Sequence, residues 1–484
     1  MTRPPRLGPD VAAIPDYDRN QPTGIVHLGV GAFHRAHQAV YFDRLLSQGE
    51  TGWMIRGASL RSAGVADQLN PQSGLYTCVE QDRGGEVSRV IRSVRDVLVG
   101  PADPRRLVAA MAHPDIALVT LTITEKGYEL DPGTGALNLD SAAIRHDVEH
   151  PDSPQTGPGY LVAALARRRA EGLAPFTILS CDNLPENGRR TRAAVVELAR
   201  QTDPGLADWI AETTAFPCSM VDRIVPATTE ADIEALAVRE GYRDAGMVKA
   251  EAFSQWVVED RFCNRRPPLE RVGVEMTLDV APWEKIKLRL LNGAHSALAY
   301  LGGLAGYTHV HEAIADPHLR AFVEALWDEV EPTLDRPDGF EAAVYRQALL
   351  DRFANPALAH RLHQIAMDGS QKLPQRLLAT LADRRAGGRN SPALKLAIAA
   401  WMRWQGGEDA RGNRFTVDDP MADRTRTAFI AGGGDPDRIV ANFLAMGTVF
   451  APRITVDQEV RAGLSAALGG LLRSGDTTLM WPAG

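Results

Sequence analysis

A doubly wound α/β domain followed by a mainly α-helical domain is the fold class this sequence predicts. Three observations carry that expectation. Short runs rich in β-branched residues alternate with helical patterns through the first part of the chain. A glycine-punctuated turn follows the first of those runs directly, and beyond about residue 283 such runs become scarce while helical patterns take over. Alternation of strand and helix points to a Rossmann-like, mostly parallel sheet with helices on both faces. The expected division is 1–283 for a dinucleotide-binding domain and 284–484 for a helical substrate and catalytic domain. A cleft between two such domains is a common home for a ligand.

In chain order, residues 24–30 (GIVHLGV) read as a buried strand, the turn comes next, and a helical pattern runs over 34–46. Residues 53–58 supply the next strand of a β-α-β unit. Further strands are expected at 116–124 and 176–180, with a helix at 161–170 between them. In the second half, helices are expected at 283–302, 311–328, 341–353, 375–383 and 393–405. Pro332, Pro337, Gly387-Gly388 and Gly432-Gly433-Gly434 mark the loops.

Composition excludes several classes. At 484 residues, with 44% hydrophobic and 24% charged residues, the chain is that of a soluble globular protein of two or three domains. The net charge of −8 and the lack of a basic face argue against nucleic acid. Four scattered cysteines without CxxC spacing suggest neither zinc nor disulfides, so no metal site is expected. The segment MTRPPRLGPD has no signal-like apolar core, and no run approaches the roughly 20 apolar residues of a membrane span. A cytoplasmic location is the expectation.

Gly29-Val30-Gly31-Ala32-Phe33-His34 follows a strand and opens a helix, the setting in which a glycine-rich turn binds a dinucleotide. One glycine permits the tight turn, the next lets the backbone approach the pyrophosphate, and the helix start offers N–H donors. His34 stands where the third glycine belongs, and His34, Arg35 and His37 are expected to place cationic character beside the diphosphate. The competing reading is an ordinary βα turn whose histidines cover a helix start.

Residues 287–295 (KLRLLNGAH), with Glu284 before them, place an amine, a carboxamide and an imidazole on one short segment. At about 100° per residue, Glu284 lies about 60° from Lys287, His295 about 80° and Asn292 about 140°. Buried polar groups are costly unless partnered, and a lysine so placed can lose enough pKa to exchange protons near neutrality. Singly, each residue has a bland reading: Lys287 as a surface lysine with a packed stem, His295 as a satisfied core histidine. Asn183 alone would cap a helix or shape a turn, and Asp222 beside Arg223 would be a structural ion pair.

With these motifs in view, the chain resembles the polyol-specific long-chain dehydrogenase/reductase family, which includes mannitol 2-dehydrogenase and fructuronate reductase. The carrying motifs are IVHLGVGAFHRAHQ at 25–38, LTITEKGY at 121–128, SCDNLPENG at 180–188, FPCSMVDRIVP at 216–226, KLRLLNGAHS at 287–296 and IAMDGSQKLPQR at 365–376. The resemblance implies Lys287 as general acid/base, and Asn183 and Asn292 as donors to the reacting oxygen. It implies His295 as the residue that positions substrate and supports the lysine, and Glu284 in proton movement. Asp222 and Lys372 would line the substrate site, and no catalytic metal would be needed. The cofactor would be NAD, contacted by Ile25, Gly29, Gly31, Ala32, Phe33 and His34, and the chain would be a monomer.

Two features separate members of that family. This chain has Gln364 where mannitol 2-dehydrogenases place an arginine, and Lys126 within TEKGY where they tend to read TEGGY. Both features resemble fructuronate reductase, and Lys126 could meet a sugar-acid carboxylate. D-Fructuronate/D-mannonate is therefore the expected pair, with D-mannitol/D-fructose the alternative. After the second strand stands Leu60-Arg61-Ser62, with no acid before Asp67, so Arg61 could accept the 2′-phosphate of NADP. A reading of another class is a catalytically silent nucleotide or sugar sensor on the same fold.

Overall fold

The computed structural model describes residues 4–10, 17–82, 84–131, 134–473 and 481–482. The chain divides into two units, Met1–Ala281 and Pro282–Gly484. Strands run in chain order as β1 (Thr23–Leu28), β2 (Met54–Ser59), β3 (Tyr76–Asp82), β4 (Gly85–Ile91), β5 (Val94–Val99) and β6 (Leu118–Leu121). They continue as β7 (Thr177–Ser180), β8 (Ser219–Asp222), β9 (Val248–Glu251), β10 (Gln255–Glu259) and β11 (Glu275–Thr277).

The main sheet has the order β5-β2-β1-β6-β7, and every neighbouring pair is parallel. Ile25 pairs in register with both Ile55 and Leu118. Adjacent residues of β1 feed opposite cores: Ile25 packs with Leu118 and Leu179, Val26 with Val119 and Ile178. Burial on both faces is why these strands are continuous apolar runs. Each fully buried aliphatic side chain contributes about 1.5–3 kcal/mol. The chain steps from β1 outward to β2 and β5, then returns to β6 on the other side of β1. The carboxyl ends of β1 and β6 thus flank the point where strand order reverses, the place where such sheets hold ligands.

Two features of this unit depart from the sequence expectation. The helix expected over 34–46 is two helices, Ala32–Ala36 and Gln38–Ser47, broken at His37 with φ −126° and ψ −90°. Two three-stranded sheets, β4-β3-β9 and β11-β10-β8, also stand beside the main one, each with one antiparallel and one parallel pairing.

The second unit is helical around one core that includes Trp327 and Trp401. Its central segment is α-helical over Ala281–Ile286, π-helical over Lys287–Asn292 and α-helical again over Gly293–Leu304. A second π turn, Pro374–Leu378, lies between Gly369–Leu373 and Ala379–Ala386. Pro374 brings no N–H and crowds the preceding turn, which favours irregular winding there. The two π turns approach closely: a Cβ on Gly293 would stand 3.3 Å from the Arg376 carbonyl oxygen. The indole of Trp327 donates to the Leu290 carbonyl at 2.9 Å inside the first of them. The pattern over 311–328 divides at Pro317 into Val310–Ala315 and Pro317–Val330, where Asp316 caps the second helix by accepting from the His318 and Leu319 N–H groups. Among the described residues no helix is long and apolar enough to cross a membrane.

Candidate active site

The glycine turn leaves β1 with Gly29 at φ +92°, and a Cβ there would stand 2.1 Å from the Thr122 carbonyl oxygen. Only glycine fits both the conformation and the contact. Gly31 is different. It is exposed, and a Cβ on it would meet nothing nearer than the Gly29 oxygen at 3.9 Å. The space before Gly31 is open, a cradle that a diphosphate could enter against bare backbone. Ala32 and Phe33 are half-buried beside it. Arg61 is exposed two residues beyond β2, and residues 60–66 carry no acid.

Burial corrects the expectation for Ile25, His34, Arg35 and His37. Ile25 and His34 are fully buried and offer no surface to a cofactor. The His34 ring stacks on His27 of β1 with centroids 3.4 Å apart. His27 is held by Thr120 Oγ1 at 2.7 Å and Thr122 Oγ1 at 2.9 Å. Burial lowers the pKa of His27 to about 3 and that of His34 well below the usual histidine value. Both rings are therefore neutral. Arg35 donates to the Gly246 carbonyl, and His37 Nε2 meets the Gln255 carbonyl at 2.8 Å. Ile25 and His34 are thus enclosed within the unit, and Arg35 and His37 direct these side-chain contacts to backbone carbonyls.

Asn183 is exposed just beyond the end of β7. Asp222 ends β8 and is buried, opposite Gln255 in the ladder. The neighbouring Arg223 turns away to Glu80 at 2.7 Å and to the Ala36 and Glu251 carbonyls. Lys126 is exposed in the Glu125–Tyr128 turn after β6, and among the described residues its ammonium has no ion pair or hydrogen bond.

In the second unit Lys287 opens the first π turn and is buried, with Asn292 closing that turn half-buried. The winding changes the geometry read from the sequence. With i→i+5 hydrogen bonding, residues five apart come to one side, so Asn292 moves toward the side of Lys287 instead of standing about 140° away as on an α-helix. Glu284, half-buried, precedes Lys287 on the same helical segment.

His295 is buried one turn further on, its ring 4.5 Å from Phe353 and 5.4 Å from His360 between centroids. Burial, reinforced by the positive surroundings of His360, Arg352 and Arg376, lowers its pKa well below the usual value and keeps the imidazole neutral. Lys372 is half-buried and donates to the Met367 carbonyl at 2.5 Å, with Asp368 at 3.8 Å. Burial and Arg376 lower its pKa. Gln364 is exposed on the short Leu362–Ala366 helix.

Sequence reasoning alone does not single out Arg376, a half-buried cation bonded to Ser296 Oγ at 3.0 Å, or Asp182, whose neighbour Asn183 carries the motif. Among the described residues, His309, His311 and Glu312 form the one group with metal-ligand reach. Glu312 there already accepts the Thr308 and His309 N–H groups, both at 2.9 Å, as a helix cap.

Comparison with known proteins gives a consistent result. The mannitol dehydrogenase Rossmann domain matches residues 23–271, and the mannitol dehydrogenase C-terminal domain matches residues 279–471. D-mannonate oxidoreductase of Escherichia coli (strain K12) is 41% identical over 469 residues, spanning 96% of each chain. Mannitol 2-dehydrogenase of Pyricularia oryzae is 40% identical over 472 residues, covering 96% of this chain and 93% of its own. Among solved structures, Pseudomonas fluorescens mannitol 2-dehydrogenase in ternary complex with NAD and D-mannitol superposes with a TM-score of 0.83. It shares 39% identity, and 98% of each chain is covered.

Proposed function

Because the chain belongs to the mannitol dehydrogenase family, and is thereby an NAD-dependent polyol or sugar-acid oxidoreductase, we propose that it interconverts D-mannonate and D-fructuronate. The observation that carries this choice is the exposed Lys126 ammonium after β6, which has no partner among the described residues and is a cation suited to a sugar-acid carboxylate. The likeness to D-mannonate oxidoreductase supports it. D-mannitol oxidation is the second reading, favoured by equal likeness to mannitol 2-dehydrogenases.

In the proposed mechanism Lys287 takes the hydroxyl proton during oxidation and returns it to the forming alkoxide during reduction. Bound NAD supplies the hydride acceptor. The carboxamides of Asn183 and Asn292 donate N–H to the oxygen as negative charge develops. Neutral His295 orients the hydroxyl and leaves the proton to the lysine. Glu284 carries protons between Lys287 and solvent, so no metal step is invoked. Asp222, Lys372 and Gln364 bind the remaining hydroxyls, while Gly29, Gly31, Ala32 and Phe33 shape the cofactor turn.

The test is a panel of D-mannonate, D-mannitol, D-arabinitol and D-sorbitol, each with NAD and with NADP. Fastest turnover is expected with D-mannonate and NAD, unaffected by chelators. Faster oxidation of D-mannitol would overturn the substrate assignment. Faster reaction with NADP would assign Arg61 to a ribose 2′-phosphate.

A further inference from the structure

Thr124 has φ +65° and ψ +162°, a backbone region that glycine alone enters without strain. A β-branched residue there is a genuine outlier. It stands two residues before Lys126, so whatever enforces it also fixes where that ammonium emerges. The enforcing group is the Asp182 carboxylate. It accepts the Thr124 N–H at 2.9 Å, the Ile123 N–H at 3.0 Å and the Tyr128 hydroxyl at 2.7 Å.

The clamp is itself anchored. Tyr128 is fully buried and meets Ser180 Oγ at 2.5 Å, and the Asp182 carbonyl takes the Asn187 carboxamide N–H at 3.1 Å. Gly127 completes the turn: its N–H bonds the Thr124 carbonyl at 2.9 Å, and a Cβ on it would stand 2.9 Å from the Ile123 side chain. One carboxylate therefore ties the segment after β6 to the end of β7, next to Asn183. Hydrogen bonds to an ionised acceptor are the strong ones, and three on one carboxylate can hold a strained backbone.

We propose that Asp182 is a positioning residue that holds the Thr124–Tyr128 turn in its strained form, and so makes that turn the element selecting sugar acids over neutral polyols. This rests on the D-mannonate reading of Lys126. It adds that selectivity is set by the clamp as well as by the cation.

The test compares KM for D-mannonate with KM for D-mannitol and with KM for NAD, using the whole chain; each variant is expected to leave KM for D-mannitol nearly unchanged. Asp182→Asn is expected to raise KM for D-mannonate about tenfold, well beyond any change for NAD. Tyr128→Phe, which removes one donor and keeps the buried ring, is expected to raise it about threefold. Adding Thr124→Gly to Asp182→Asn should recover part of the loss, because glycine takes φ +65° freely. A merely structural defect would not be rescued by glycine. Lys126→Met reports on the underlying reading and should match Asp182→Asn. If Lys126→Met raises KM for D-mannonate while Asp182→Asn and Tyr128→Phe do not, the clamp is overturned. If Lys126→Met leaves it unchanged, the carboxylate reading of Lys126 falls, and the selective role of the turn with it.

Discussion

Gly29 and His34 sit five residues apart in one turn and answer to different physics. Gly29 is fixed by its own backbone, since φ +92° and the Thr122 oxygen 2.1 Å away leave no room for a methyl. Gly29→Ala should therefore lower stability by about 1 kcal/mol or more and weaken NAD binding, read by chemical denaturation and cofactor titration. His34 is fixed by its neighbour, filling the layer between turn and strand by stacking on His27. Its position after Gly31 suggests a ligand contact, and only burial shows otherwise. Thr124 repeats the lesson: a threonine carries no mark of positive φ in the sequence, whereas Asp182 and Lys126 on either side of that clamp are visible as residues but not as partners.

Elements were legible where burial dictated pattern. β1, β2, β6 and β7 are buried on both faces, so they stand out as apolar runs. β4, by contrast, exposes Glu86 and Val87 on the rim of a small sheet and shows no apolar run. The π turn at Lys287–Asn292 is invisible for another reason: hydrophobic spacing reports helix, not which carbonyl each N–H reaches. The polar face of that segment is legible, while the rotation of Asn292 about it is not. Gly293→Ala probes this winding, because its Cβ would press on the Arg376 carbonyl oxygen at 3.3 Å. A stability loss of about 1 kcal/mol with a larger proportional fall in kcat than in NAD affinity is expected. Unchanged kcat would show that the spacing of the two π turns is immaterial to turnover.

At the scale of the whole molecule, buried neutral histidines contribute a loss of stability in acid. His27, His34 and His295 all have folded pKa values below the ordinary histidine value, chiefly through burial. The unfolded chain therefore binds protons first as pH falls below about 6.5, and stability declines with it. For His27 the decline extends towards its folded pKa of about 3. Each such histidine contributes a slope of up to about 1.4 kcal/mol per pH unit in that window. Denaturation midpoints should hold above pH 7 and drop between pH 6 and pH 5, and a flat profile there would contradict the buried, neutral assignment.

The central claim is that Lys287 exchanges the substrate proton, and Lys287→Ala tests it most directly through single-turnover NAD reduction with D-mannonate alongside NAD titration. A fall in turnover of about 100-fold or more, with NAD affinity unchanged, is the predicted result. Near-normal turnover in that variant would contradict it.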